Sequence, residues 1–167
     1  MKQPEVWMRG PVAGIPALLQ PVAHTLLQAQ EELHDAMKDF PETLLWQQPM
    51  GVASVGFHLQ HIPGVLDRLF TYAAGQSLSP VQMEYLTGEG KQIEGVTVNS
   101  LLTALDGQIK AAIAGLKATE ESSLTDFRGV GRKQLPSTVM GLLFHSAEHT
   151  MRHTGQLLVT ASVLKGQ

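Results

Sequence analysis

Apolar residues recur every three or four positions over four long stretches of this 167-residue chain, and proline- and glycine-bearing segments separate them. Three-to-four spacing places those residues on one face of an α-helix, so each stretch must bury that face against a neighbour. The first stretch runs from about Pro16 to Lys38 with Leu18, Leu19, Val22, Leu26, Ala29, Leu33 and Met37 on its stripe. Pro16 suits a first turn, where its missing N–H costs nothing. The second runs from Ser54, a good N-cap, to about Ala74, and Gly75 ends it. Its stripe is Val55, Leu59, Ile62, Leu66, Leu69, Phe70 and Ala73, with Pro63 inside it predicting a kink or a loosened turn. The third covers about Val98 to Lys117, through Leu101, Leu102, Leu105, Ile109, Ile113 and Leu116. The fourth follows Pro136, with Ser137 as the predicted N-cap, and continues to about Leu164.

Between them, "DFPETLLWQQP" breaks the pattern and should tuck Leu44, Leu45 and Trp46 onto the core. "SLSPVQMEYLTGEGKQIEG" reads as a short helix and a loop, and "ATEESSLTDFRGVGRKQLP" as a long connection with room for an extended piece. No repeat or linker divides the chain, and no convincing alternating strand appears. The expectation is an all-α four-helix bundle of antiparallel type, one domain over residues 1–167.

Composition removes several function classes. A net charge of −3 with no basic block argues against nucleic acid as a partner, because phosphate binding needs clustered Lys and Arg. Without cysteine there are no disulfides, thiolate metal sites or cysteine nucleophile. "MKQPEVWMRGPVAG" lacks the apolar core of a signal peptide, and no stretch approaches the roughly 20 apolar residues that span a bilayer. A cytoplasmic protein with no membrane partner is the expectation. No serine–histidine–acid pattern, phosphate loop or catalytic carboxylate pair stands out.

Histidine is what remains. Three of seven fall in "HSAEHTMRHTGQ", residues 145 to 156, at four-residue intervals. The inward stripe of the fourth helix is Val139, Leu142, Ser146, His149, His153, Leu157 and Leu164, so two imidazoles occupy core positions one turn apart. That i, i+4 spacing lets two imidazoles reach one ion. His145 and His153 are separated by about 12 Å along the axis, and first-shell bonds are only about 2 Å long, so all three cannot share an ion. The pairs are 145/149 or 149/153, and the second lies nearer the centre of the stripe. A third ligand must come from elsewhere, and "FHLQHIPGVLD" offers His58 and His61. Periodicity puts His58 nearer the buried stripe and His61 on its flank. Spacing alone does not choose between them.

"FHLQHIPGVLDRLFTYA" followed by "GLLFHSAEHTMRHTGQLLVT" resembles the DinB-like superfamily, whose members are four-helix bundles that commonly hold a metal with three histidines. The family's final helix typically reads His-x-x-x-His-x-Gly-Gln, matched by His149, His153, Gly155 and Gln156. Its second helix carries an aromatic-His-Leu-x-His segment whose second histidine is the ligand, which falls on His61. The resemblance therefore implies a His61, His149 and His153 site for a divalent ion, zinc or nickel, with His58 as the fallback. Pro63 departs from the pattern, and the acidic ligand of some relatives has no match, since Glu148 points outward in the helical phase.

Two functions follow from that site. One is a metal-dependent enzyme, a hydrolase or a transferase using a low-molecular-weight thiol, acting on a small molecule. In it Gln156 would orient a ligand or water, and His145 would support the site or shuttle protons. The other is a non-catalytic metal-binding or interaction module, a homodimer in which the ion ties helices together. Asp67 and Arg68 read as surface or ion-pair residues, Trp46, Tyr72 and Tyr85 as packing or cleft aromatics, and His24 and His34 as solvated.

Overall fold

The structure is a computed structural model, and residues 3–166 are described. Four long helices form as the periodicity predicts: α1 (Gln20–Met37), α2 (Val55–Ala73), α4 (Val98–Ala118) and α5 (Val139–Lys165). A short α3 (Pro80–Gly88) lies in the second connection. The third connection holds an antiparallel hairpin of β1 (Phe127–Val130) and β2 (Leu135–Thr138), pairing Phe127 with Thr138 and Val130 with Leu135. This is the extended piece for which the polar linker left room.

Local chemistry sets the helix ends. Ser54 caps α2 by accepting from the Phe57 N–H, and Thr97 with Ser100 forms a reciprocal capping box at α4. Two predicted ends move. Pro16 precedes a short 3-10 turn, and Pro21 takes the first turn of α1 instead. The cap of α5 is Thr138, which accepts from the Gly141 N–H, rather than Ser137. β2 keeps pairing as far as Thr138, so the chain turns helical one residue later. α2 runs unbroken through Pro63, whose ring is buried. The missing N–H costs one i→i−4 bond, and packing on both sides outweighs it.

The stripes meet in one core. Leu26, Leu33, Leu59, Ile62, Leu66, Leu105, Ile109, Leu116, Leu143 and Leu157 are fully buried, each contributing about 1.5–3 kcal/mol. Leu18 is the exception on the first stripe, exposed because it lies in the 3-10 turn ahead of the regular helix. Each of α1 and α2 packs against both α4 and α5. Cross-contacts give the directions. His34 meets Asp106 while Leu18 meets Glu121, so α1 and α4 are antiparallel. His58 meets His153 while His61 meets His149, so α2 and α5 are antiparallel too. α2 and α4 therefore run in one direction relative to α1 and α5, as shown by Lys165 reaching the Ala36 carbonyl where α5 and α1 both end. Such an order needs a crossover between α2 and α4, and residues 74–97 supply it.

The "DFPETLLWQQP" connection tucks in as expected, burying Leu45 and laying Trp46 over Gly56 at the start of α2. A Cβ at Gly56 would come within 2.6 Å of the Trp46 ring. Gly56→Ala should therefore displace Trp46 and cost about 1–3 kcal/mol. Thermal unfolding and a shifted tryptophan emission spectrum check this.

Candidate metal centre

The antiparallel seam of α2 and α5 brings four imidazoles together. One turn of α2 separates His58 from His61, and one turn of α5 separates His149 from His153, so the two pairs face each other at matching heights. His61, His149 and His153 each offer a nitrogen within 4.8 Å of the other two, and all three are half-buried. His61 Nε2 lies 2.9 Å from His149 Nε2. Two nitrogens each about 2.0–2.1 Å from one ion stand about 3 Å apart, so this spacing fits a shared ion.

His58 is placed differently. It is the most buried of the four, 2% exposed, and its Nδ1 sits 3.0 Å from His153 Nδ1. Helical phase thus ranks the burial of His58 and His61 correctly, and the half-buried one joins the α5 pair. Phase also places His149 and His153 too deep: the fully buried positions of that face are Ser146, Thr150 and Thr154, and the histidines flank them. The flank lets their rings reach across to α2 instead of into the leucine core.

The tautomers follow from the partners. His61 Nδ1 lies 2.6 Å from Glu89 Oε2, and Arg68 donates to Glu89 Oε1 at 2.6 Å. Burial alone would raise the Glu89 carboxyl, but the hydrogen bonds from His61 and Arg68 outweigh it and hold the group below its ordinary range. An ionised carboxylate only accepts, so His61 donates from Nδ1, which leaves its Nε2 facing His149. A carboxylate behind a histidine ring is the usual support of a metal-ligating imidazole. His149 Nδ1 is buried and has no hydrogen-bond partner.

Three of the four rings resist protonation. Desolvation, reinforced by neighbouring imidazoles, lowers His58, His149 and His153 to about 4. Neutral imidazole is the form that ligates a cation.

Other candidates fall outside the trio. His145 is exposed and pairs with Glu148 at 3.2 Å, and Glu148 also binds Arg152 on the outer face, as the helical phase of Glu148 implies. His24 bonds the Gly10 carbonyl, and His34 bonds Asp106. Asp67 accepts from Gln82, Tyr85 donates to the Gln60 carbonyl, and Tyr72 packs on the core. Gln156 is exposed and lines a cavity of about 550 Å³ with Val52, Ala53, His58, Arg152 and Val159. Glu89 is the residue that reading the sequence missed. Its one legible trace is Arg68, two turns beyond His61 on the same face, a buried cation that requires an anion.

The DinB superfamily model matches residues 25–157, which include all four clustered histidines. The chain belongs to the DinB superfamily. Its fold is similar to that of a conserved protein from Enterococcus faecalis, with a TM-score of 0.69 at 17% identity, covering 90% of this chain and 98% of that one. No curated protein matches. As a DinB-superfamily bundle with a histidine trio at its seam, the chain has a group able to bind a metal ion. Among the described residues no helix is long and apolar enough to cross a membrane.

The lowered imidazoles give the metal-free protein a definite pH response. Between about 4 and 6.5 the unfolded chain binds protons that folded His58, His149 and His153 refuse, so stability is present above 6.5 and is lost as pH falls toward 4. Urea unfolding at steps from pH 7.5 to 4.5 should show the decline beginning above the carboxylate range. A flat profile down to pH 5 would contradict the burial of these rings.

Proposed function

We propose that this chain is a divalent-metal-dependent enzyme in which His61, His149 and His153 hold the ion. One observation carries the reading: three imidazole nitrogens from two helices converge within 4.8 Å, and the group contains no carboxylate to close the site. Three protein ligands and an open position characterise catalytic rather than structural sites. Zinc or nickel suits three neutral imidazoles. Bound there, the ion would supply the electrophilic field that activates water for hydrolysis or lowers the pKa of a small thiol for transfer.

The chain's own groups do the rest. Glu89 keeps the His61 proton on Nδ1, and His153 donating from Nδ1 to His58 Nδ1 would leave the His153 Nε2 lone pair free for the ion. The cavity beside His58 accommodates a small molecule, and Arg152 and Gln156 on its wall offer donors to a polar substrate group. His145, exposed and paired with Glu148, stands apart from that cavity.

Protein purified without chelator should carry about one equivalent of zinc or nickel by elemental analysis. His149→Ala and His153→Ala should each remove most of it while leaving the helical circular dichroism intact. Wild-type protein without stoichiometric metal would sink the proposal. Screens of ester and amide hydrolysis, and of small thiols with electrophilic acceptors, then separate the two reaction classes.

A second reading, a non-catalytic dimeric module, draws support from Phe144, Val159 and Val163, apolar side chains exposed along the outer side of α5. It predicts a dimer in sedimentation that Val159→Lys disrupts, together with inactivity in both screens.

A further inference from the structure

α3 buries none of its residues, so burial of its own side chains does not explain its place on the bundle. Polar contacts hold it and the turn after it on α2. Gln82 donates to Asp67 and Thr71, the Tyr85 hydroxyl donates to the Gln60 carbonyl, and the Gly90 N–H donates to Gln60 Oε1. At the end of this ladder the Glu89 side chain, only 5% exposed, enters the seam between Arg68 and His61.

The surroundings are shaped for that carboxylate. A Cβ on Gly64 would strike Glu89 Oε1 and come within 2.5 Å of the Tyr85 ring, so only glycine leaves room for the approach. Gly90 takes φ +81°, a left-handed conformation that favours glycine, and so turns its N–H toward Gln60. Arg68, 8% exposed at its side chain, neutralises one oxygen and leaves the other for His61. A buried carboxylate without such partners would be costly. Three of its supports (Gln60, Gly64 and Arg68) come from α2, and Gly90 follows Glu89 directly in the chain.

We propose that Glu89 is a positioning residue for the metal centre, and that through it metal capture and the docking of residues 80–90 are coupled. The inference rests on His61 being a ligand. Glu89 holds the His61 proton on Nδ1 and fixes the ring plane, which aims Nε2 at His149 and His153. Coupling is reciprocal: the factor by which docked Glu89 tightens metal binding is the factor by which bound metal tightens docking. The α3 segment is then a strap whose closure reports occupancy of the site.

Zinc affinity measured by competition with a chromophoric chelator tests the first half. Glu89→Gln should weaken binding about 10–100-fold, and Glu89→Asp should recover part of the loss. Gly64→Ala leaves every functional group in place but displaces the carboxylate, and it should shift affinity in the same direction. It also decides the matter should Glu89→Gln fail to fold. Long-range proton–nitrogen spectra of the metal-free protein should show His61 protonated on Nδ1 in wild type and mixed tautomers in Glu89→Gln. Hydrogen exchange over residues 80–90 should slow when zinc is added to wild type and change little in Glu89→Gln. Unchanged zinc affinity in both Glu89→Gln and Gly64→Ala, with an unchanged tautomer, overturns the proposal. Wild type that binds no zinc overturns the metal assignment instead, and the metal-free tautomer still decides whether Glu89 positions His61.

Discussion

The antiparallel contact between α2 and α5 is the constraint around which the rest is arranged. Both helices must bury apolar stripes, yet they face each other with four imidazoles. Desolvating polar groups in such a seam is unfavourable unless each finds a partner. The rings meet this requirement with one another and with Glu89 except at His149 Nδ1, which is buried without a partner, while Leu59, Ile62, Leu66, Leu143 and Leu157 turn into the core. α1 and α4 complete the apolar interior from the other side, with Leu26, Leu33, Leu105 and Ile109.

Topology and site chemistry are linked through the second connection. Because α2 and α4 run in the same direction, the chain must return along the length of α2 before α4 can start. The returning segment meets Thr71 and Asp67 first, then Gly64, then His61 and finally Phe57. Glu89 reaches His61 as a consequence of that route. A simple up-down-up-down order would have allowed a short turn there and no such carboxylate.

Much of the fold was readable because helical periodicity is a local property. Ser54, Gly75, Val98 and the four stripes mark the long helices to within a few residues. The slips also have local causes: strand pairing delays the start of α5 past Ser137, and the 3-10 turn at Ala17–Leu19 delays the start of α1 past Pro16. Pro63 shows propensity overridden by packing. At the site, four-residue spacing left 145/149 and 149/153 as possible pairs, and axial distance excluded only an ion shared by all three; His145 still stands with Glu148 and His149 in a second group within 4.8 Å. The choice of His61 over His58 came from likeness to a family, and in the structure His61 converges with His149 and His153 while the more deeply buried His58 contacts His153.

The sequence by itself determined where the helices lie, which faces they bury and that His149 and His153 stand one turn apart on one side of α5. Each of these depends on a 1.5 Å rise and a 100° step within one helix. Tertiary structure decided the helix order, the partner histidine across the seam, and the arrival of Glu89 and Arg68 behind it. Those depend on how close two helices pack and on the path of a connection, and residue spacing within one helix encodes neither distance.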